Sequence, residues 1–201
     1  MIFDLSLIAA LLVAVLSYLS GSIPFGLLLT KIAGKGDVRE IGSGNIGATN
    51  VLRTGSKVLA AGTLLCDLLK GFAPVLIASK WGLGAALIAA FAALIGHMYP
   101  VWLKFKGGKG VATFIGTLLA LYWPLAAGFC AIWLVMALMF RMSSLSAIVA
   151  TVLTPLGGLV FGSPAMVVTL ALMSGLIIYR HRENIQRLLK GEESKISFSK
   201  S

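Results

Sequence analysis

Long apolar windows separated by short polar connections govern what this chain can fold into. Seven windows run over approximately residues 1–30, 58–79, 83–101, 111–122, 125–140, 143–161 and 165–179. Apolar stretches of about 17–25 residues match the hydrocarbon thickness of a bilayer when helical. A helix also satisfies every backbone polar group internally, as a lipid environment demands. The predicted fold is therefore an all-α integral membrane protein of seven transmembrane helices, one polytopic domain over 1–201 with a basic tail at 180–201. Composition agrees, with 58% hydrophobic residues and 12% charged, against about half and a quarter in a soluble domain. The length suits one helical bundle and leaves no room for a soluble domain beside it. Pro24, among Ser20, Gly21, Ser22 and Gly26, is expected to kink the first helix, and its small neighbours to admit a closely packed partner.

The net charge of +10 must lie in the connections and the tail. Seven helices put the termini on opposite sides. With the tail in the cytoplasm, fifteen of the 17 Lys and Arg residues fall on that side, leaving Lys80 outside and Lys70 within a helix. The positive-inside rule then predicts the N-terminus outside and the C-terminus inside. The loops at 31–57 and 102–110, the Ser143-Ser144 turn and the tail all reach the cytoplasmic face. The same charge suits anionic headgroups or an anionic substrate, and the total does not separate them. Asp4 with no Lys or Arg before the first apolar run argues for a retained helix rather than a cleaved signal. Cys66 and Cys130 lie in apolar runs and indicate neither a disulfide framework nor a metal site.

Gly42-Ser43-Gly44-Asn45-Ile46-Gly47-Ala48-Thr49-Asn50, closing on Arg53, combines backbone freedom with polar donors. Glycines let N–H groups point outward into an anion-sized concavity. Ser43, Asn45, Thr49 and Asn50 add neutral donors, and Arg53 adds a planar fork suited to phosphate. The stretch satisfies GxGxxG but lacks the strand and βαβ context of a dinucleotide site. A loop that only connects would need neither the donors nor the arginine. The second basic loop holds Lys104, Lys106, Gly107, Gly108, Lys109 and Gly110 and runs into Val111-Ala112-Thr113. It is not a P-loop, because Leu103 and Gly110 occupy the glycine and Ser/Thr places. Glycines and lysines entering a helix N-terminus nevertheless suit an anion. After the last helix comes Arg180-His181-Arg182-Glu183-Asn184, where His181 and Asn184 share a face if the helix continues. Ile185, Leu188 and Leu189 give that segment an apolar side. Ser143 or Ser144 can cap the sixth helix. Asp67, Lys70 and His97 lie at membrane depth, where ionisable groups are functional candidates. An internal ion pair with a structural histidine accounts for them equally well. No acid, histidine or cysteine cluster has metal-ligand spacing, so no metal is predicted.

The Gly42–Asn50 stretch, the Phe105–Thr113 run and Arg180-His181-Arg182-Glu183-Asn184-Ile185 resemble the three signature motifs of the bacterial acyl-phosphate:glycerol-3-phosphate acyltransferases, the PlsY type. Gly21-Ser22-Ile23-Pro24-Phe25-Gly26 and Gly96-His97 also match family features. The resemblance covers nearly the whole chain. It implies transfer of a fatty acyl group from acyl phosphate to the sn-1 hydroxyl of glycerol 3-phosphate, giving lysophosphatidic acid and phosphate for phospholipid synthesis. The implied setting is a bacterial inner membrane, with membrane lipid and the enzyme that makes acyl phosphate as partners, and with no cofactor and no nucleic acid.

The candidate catalytic residues are His181, Asn184, Lys109 and Ser143. The candidate substrate-binding residues are Ser43, Asn45, Thr49, Asn50, Arg53, Lys104, Lys106, Gly107, Gly108, Thr113 and Glu183. Glycerol 3-phosphate is assigned to the Lys106–Thr113 loop with His181 and Asn184. The acyl phosphate head is assigned to Ser43, Asn45, Thr49, Asn50 and Arg53, although the reverse fits the sequence too. Acyl phosphate is already activated, so alignment and charge stabilisation are the main tasks. The base is His181, His97 or the substrate's own phosphate, and an acyl-serine at Ser43 or Ser143 stays open. A transporter of phosphorylated solutes is the alternative. It predicts internal repeats and polar broken helices at the midplane; no repeat is visible, and the motifs gather toward one face. A purely structural membrane subunit would not need the crowding of Gly, Lys, His and Asn.

Overall fold

Ser6 opens the first helix, its hydroxyl accepting from the Ala9 N–H at 3.2 Å. The computed structural model describes residues 5–196; residues 1–4, where the sequence predicts the start of the first helix, and 197–201, the end of the tail, lie outside the described residues. The chain divides into two units, Met1–Tyr122 and Trp123–Ser201.

In the first unit, α1 (Leu7–Ser22) stops before Pro24, and α2 (Phe25–Ile32) restarts beyond it. Proline has no N–H to extend the ladder, so the expected kink is a break between two helices. A one-turn α3 (Ala48–Val51) lies within the loop that follows. Ser56 then caps α4 (Lys57–Ala78), and Gly82 precedes α5 (Leu83–Met98). The short α6 (Val111–Leu121) starts after Gly110. The second unit holds α7 (Trp123–Phe140), α8 (Ser143–Phe161), α9 (Pro164–Arg180) and α10 (Arg182–Leu189). Neither serine caps α8, contrary to expectation: Met142 is its N-cap and makes no side-chain capping bond.

Five helical stretches among the described residues are long and apolar enough to cross a bilayer: Leu7–Ile32, Lys57–Trp81, Leu83–Leu103, Trp123–Phe140 and Ser143–Val160. Pro164–Arg180 with Arg182–Leu189, bent by 60°, makes a sixth. Length and composition therefore support five or six spans where the sequence predicts seven. Either count leaves out α6, whose 11 residues extend about 16 Å, roughly half the hydrocarbon core; the lower count also leaves out α9, whose 17 residues reach a span only together with α10.

Close backbone approach dominates packing in the first unit. Between α1 and α5, a Cβ on Gly21 would overlap the Ala93 carbonyl, and one on Gly96 would overlap Tyr18 O and lie 2.8 Å from Ser22 N. Between α4 and α6, Gly71 sits against the Thr113 carbonyl and Gly116 against that of Leu68. Each helix of a pair thus contributes a glycine to the other. Among lipid tails there is no hydrophobic drive between helices, and such contacts supply dispersion instead. In the second unit, Gly158 rests against Val167 and Leu170 of α9, so the Gly158–Gly162 pattern serves packing within the chain. Large aliphatic side chains such as Leu7, Leu16, Leu138 and Leu159 are exposed, while Thr, Ser and Ala side chains are buried. That inversion of a soluble core fits a lipid surround.

Alanine substitution at the glycines has an expected sign. A Cβ on Gly128 would meet nothing within 4 Å, so Gly128→Ala is expected to gain about 0.5–1 kcal/mol from helix propensity. Gly96→Ala meets backbone and is expected to lose about 1–3 kcal/mol. Thermal unfolding in one detergent checks both, and equal Tm shifts would contradict the packing.

Candidate active site

The first glycine-rich loop begins on a local ion pair. Asp37 accepts two bonds from the Arg39 guanidinium, at 2.9 and 2.6 Å, and one from the Arg39 N–H at 3.0 Å. The side-chain bonds from Arg39 chiefly hold the Asp37 carboxyl down to about 2. Beyond it, Val38, Ile46 and Val51 join Leu27 and Ala60 in a small buried core, with Ile41, Leu59 and Leu103 packed on it. The loop is thereby anchored from beneath.

Asn50 is its centre. The side chain is buried, and its Nδ2 lies within bonding distance of Val38 O (2.7 Å), Asn45 O (2.8 Å) and Ile41 O (3.1 Å). Its Oδ1 accepts from Ser43 N at 3.0 Å, Ser43 Oγ at 3.3 Å and Arg53 Nη1 at 3.4 Å. These bonds use the donor and acceptor capacity of one amide, so Asn50 holds the loop together. Asn45 Oδ1 accepts from the Gly47 N–H at 2.9 Å. Gly42, at φ +55°, leaves room where a Cβ would overlap the Arg53 guanidinium. Ser43, Thr49 and Arg53 are exposed.

The second loop is seated on the end of α5. Gly107 N donates to Met98 O and Gly108 N to His97 O, both at 3.1 Å. A Cβ on Gly107 would overlap the His97 carbonyl, and one on Gly108 would overlap the His97 ring. These glycines are required for contact with protein, and both N–H groups are turned inward. Lys104 and Phe105 take left-handed backbone, at φ 51° and 61°, completing the reversal. Lys104 and Lys106 are exposed, Lys109 is half-buried, and Thr113 is buried in the first turn of α6.

In the second unit α9 ends at Arg180 and α10 leaves at 60°, so the helix does not continue straight through His181. His181 is buried at this junction, with Nδ1 2.8 Å from Ile177 O. A carbonyl only accepts, so Nδ1 carries a proton and Nε2 is the acceptor of the neutral ring. Ser143 is half-buried at the start of α8. Asn184 is buried and donates from Nδ2 to Glu193 Oε1 at 2.7 Å. The same oxygen accepts from Ser144 Oγ at 2.7 Å, and Oε2 accepts from Arg187 Nε at 2.7 Å. Burial alone would raise the Glu193 carboxyl, but the bonds from Ser144, Asn184 and Arg187 and the Arg187 charge outweigh it and leave it lowered. Glu183, the acid of the sequence motif, is exposed beside Arg182 at 3.9 Å. Leu189, on the apolar side expected of this segment, is exposed. Sequence reasoning missed Glu193, Ser144 and Arg187. The available signal was Gly191, whose φ of 71° reverses the chain after α10.

The first unit therefore offers two braced loops bearing hydroxyls and cations. The second offers a histidine of defined tautomer and an asparagine fixed to a carboxylate. With the apolar helices, they define the class of the protein: an all-helical integral membrane protein. A sequence model of the family described as glycerol-3-phosphate acyltransferase matches residues 11–191. The chain is 57% identical over 193 residues to the glycerol-3-phosphate acyltransferase of Brucella anthropi, covering 96% of this chain and 94% of that one. It is 60% identical over 194 residues to that of Rhodopseudomonas palustris strain HaA2, covering 96% and 97%. Two solved structures share its fold at 42% identity: PlsY (YgiH), an integral membrane glycerol 3-phosphate acyltransferase, in its glycerol 3-phosphate form (TM-score 0.89, 94% of this chain and 96% of that chain) and its lysophosphatidic acid form (TM-score 0.87, 94% and 95%). The chain belongs to the glycerol-3-phosphate acyltransferase family and has the all-helical integral membrane fold of PlsY.

Two contacts give measurable expectations. Asn50→Ala removes the two N–H groups that the Val38, Asn45 and Ile41 carbonyls share, at about 1–3 kcal/mol for each donor lost if the carbonyls stay dry. Hydrogen exchange over 38–53 is expected to quicken while α4 keeps its protection; unchanged exchange would refute the role given to Asn50. A carboxyl lowered in the folded state stabilises fully above its unfolded pKa and is lost as pH falls through the folded one. The Ile196 amide, bonded to Arg141 O, should therefore hold its protection above the ordinary Glu value of 4.5 and lose it only below. Glu193→Gln should lower that protection throughout, and a variant matching wild type would rule the tail contact out.

Proposed function

We propose that this chain transfers a fatty acyl group from acyl phosphate to the sn-1 hydroxyl of glycerol 3-phosphate, releasing lysophosphatidic acid and inorganic phosphate. The observation that carries the reading is the family match over residues 11–191, which takes in both basic loops and the His181–Asn184 segment. Glycerol 3-phosphate and lysophosphatidic acid are the ligands named for the two PlsY forms. The placement of fifteen of the 17 cations supports loops facing the cytoplasm, in the inner membrane of a bacterium. The donor would come from the enzyme that makes acyl phosphate.

The glycerol hydroxyl oxygen attacks the acyl carbonyl carbon, an ester C–O bond forms, and the bond from that carbon to the phosphate oxygen breaks. Phosphate leaves with the bond's electron pair. Ser43, Asn45, Thr49 and Arg53 hold the acyl phosphate head, with Asn50 keeping them in place. Lys104, Lys106 and Lys109 serve glycerol 3-phosphate, on a loop that Gly107 and Gly108 seat against α5 and Thr113 carries into α6, and Lys109 also stabilises the charge that develops in the transition state. The hydroxyl proton passes to His181 Nε2, which the Nδ1–Ile177 bond (2.8 Å) supports as the acceptor nitrogen, or to the substrate's phosphate. His97 is a poorer base, because Gly108 sits directly against its Nε2. Asn184 and Ser143 orient the reacting groups, and Glu183 borders them.

Purified protein in lipid, given palmitoyl phosphate with and without glycerol 3-phosphate, is expected to release phosphate only when both are present. His181→Ala and Lys109→Met are each expected to lower kcat by about 10²-fold or more. Release without the acceptor, or none with both substrates, would sink the proposal. Near-normal His181→Ala would move the base to the substrate phosphate.

A further inference from the structure

Asp67 and Lys70 stand a turn apart in α4, with side chains only 3% and 2% exposed and Nζ 2.8 Å from Oδ1. A charge pair at membrane depth is costly, and replacing one by apolar groups of similar volume is often neutral or stabilising. Its presence calls for another reason, and the contacts around it supply one. On one side, Lys70 Nζ donates to Ile23 O at 2.8 Å, at the break between α1 and α2, and the Phe25 ring centre lies 5.8 Å from Nζ. The Lys70 carbonyl is itself released, because its helical partner four residues on would be Pro74, which lacks an N–H. Ser20 Oγ donates to it at 3.2 Å. The break and α4 are thus tied in both directions. Beyond the break, Gly26 of α2 rests on the Ile46 carbonyl and against Thr63, so the position of the break sets that of the 42–47 loop.

On the other side, His97 Nδ1 lies 3.9 Å from Asp67 Oδ1. His97 is the seat of the second loop: its carbonyl accepts from Gly108 N at 3.1 Å, and its ring fills the place of a Gly108 side chain. One ion pair therefore lies between both glycine-rich loops, bonded through Ile23 to the break before Gly26 and, at 3.9 Å, packed against the His97 ring that seats the second loop. We propose that Asp67 and Lys70 are positioning residues that hold the two phosphate-binding loops of this acyltransferase in register with each other. The proposal rests on the acyltransferase reading for what the loops bind. Its physical content is the coupling of the loops to the pair. Two anchored substrates must meet within a fraction of an ångström, and a 1 Å misplacement can cost about 10²-fold in rate.

The test is the apolar double variant Asp67→Leu/Lys70→Met. Phe25 N still donates to Ile23 O at 3.1 Å when Lys70 is gone, so the variant is expected to stay close to the wild-type Tm in detergent. Its KM for both substrates should rise, with kcat/KM about tenfold or more below wild type. Hydrogen exchange should quicken about tenfold at the 42–47 and 107–108 amides, with α5 unchanged. A folded double variant with wild-type KM values and loop exchange overturns the proposal. Should it fail to fold, the isosteric Asp67→Asn decides. It keeps a donor route from Lys70 to Ile23 but weakens the His97 side, so exchange at 107–108 should quicken while 42–47 does not, and equal behaviour of the loops overturns the coupling. Absence of phosphate release from wild type with both substrates sinks the acyltransferase reading alone, because the exchange measurement needs no turnover.

Discussion

In hydrocarbon a backbone carbonyl without a donor costs several kcal/mol, and prolines on two helices of the first unit create that problem. Pro24 interrupts the ladder between α1 and α2, and Pro74 withholds an N–H from the Lys70 carbonyl. Water would answer such groups in a soluble protein. Here Ile23 O, reached by Phe25 N at 3.1 Å, also accepts from Lys70 Nζ, and Ser20 Oγ answers Lys70 O. The repair of one helix is thus made by the other, and their relative position is held by directional bonds as well as by glycine contacts. A third bond of this kind, Trp102 Nε1 to Ser22 Oγ at 2.8 Å, ties the start of the second loop to the end of α1.

The loops inherit that order, and it divides their residues by role. A glycine-rich stretch could cradle an anion with outward N–H groups, but Gly107 and Gly108 direct theirs to the carbonyls of Met98 and His97. Asn50 likewise spends its amide on the backbone around it. An anion arriving here therefore meets side chains: the hydroxyls of Ser43 and Thr49, the Arg53 fork and the lysines of the second loop.

What was legible from sequence follows from what is local. Apolar windows, the kink at Pro24 and the small residues around Gly21 are read from neighbours in the chain. So are the three motifs and their cations. What was illegible depends on partners far along the chain. Ser20 and Lys70 are 50 residues apart, and Ser144 and Glu193 are 49 apart. Reading Ser143 or Ser144 as a cap was sound by local rules, yet Ser144 finds a carboxylate instead. Gly107 and Gly108 look like ligand glycines because nothing in their own loop reveals the His97 ring behind them.

The carboxylates of the second unit make the same point about charge. The tail is rich in arginine, and an acid placed in it could be a solvated counter-ion, as Glu183 is beside Arg182. Glu193 differs because Gly191 turns the chain back and leaves its side chain 5% exposed. A buried carboxylate needs donors on both oxygens, and Ser144, Asn184 and Arg187 provide them. Those bonds in turn leave the Asn184 amide in one orientation, with its nitrogen toward Glu193 and its oxygen turned from it. His181 is constrained in a parallel way, since the Ile177 carbonyl selects the Nδ1–H tautomer. An unpaired imidazole or amide could present either face to a substrate. Here the Ile177 carbonyl and the Glu193 carboxylate each fix one side of the group they bond, so the orientation of these two motif residues is set by Ile177 and Glu193, which lie outside the motif.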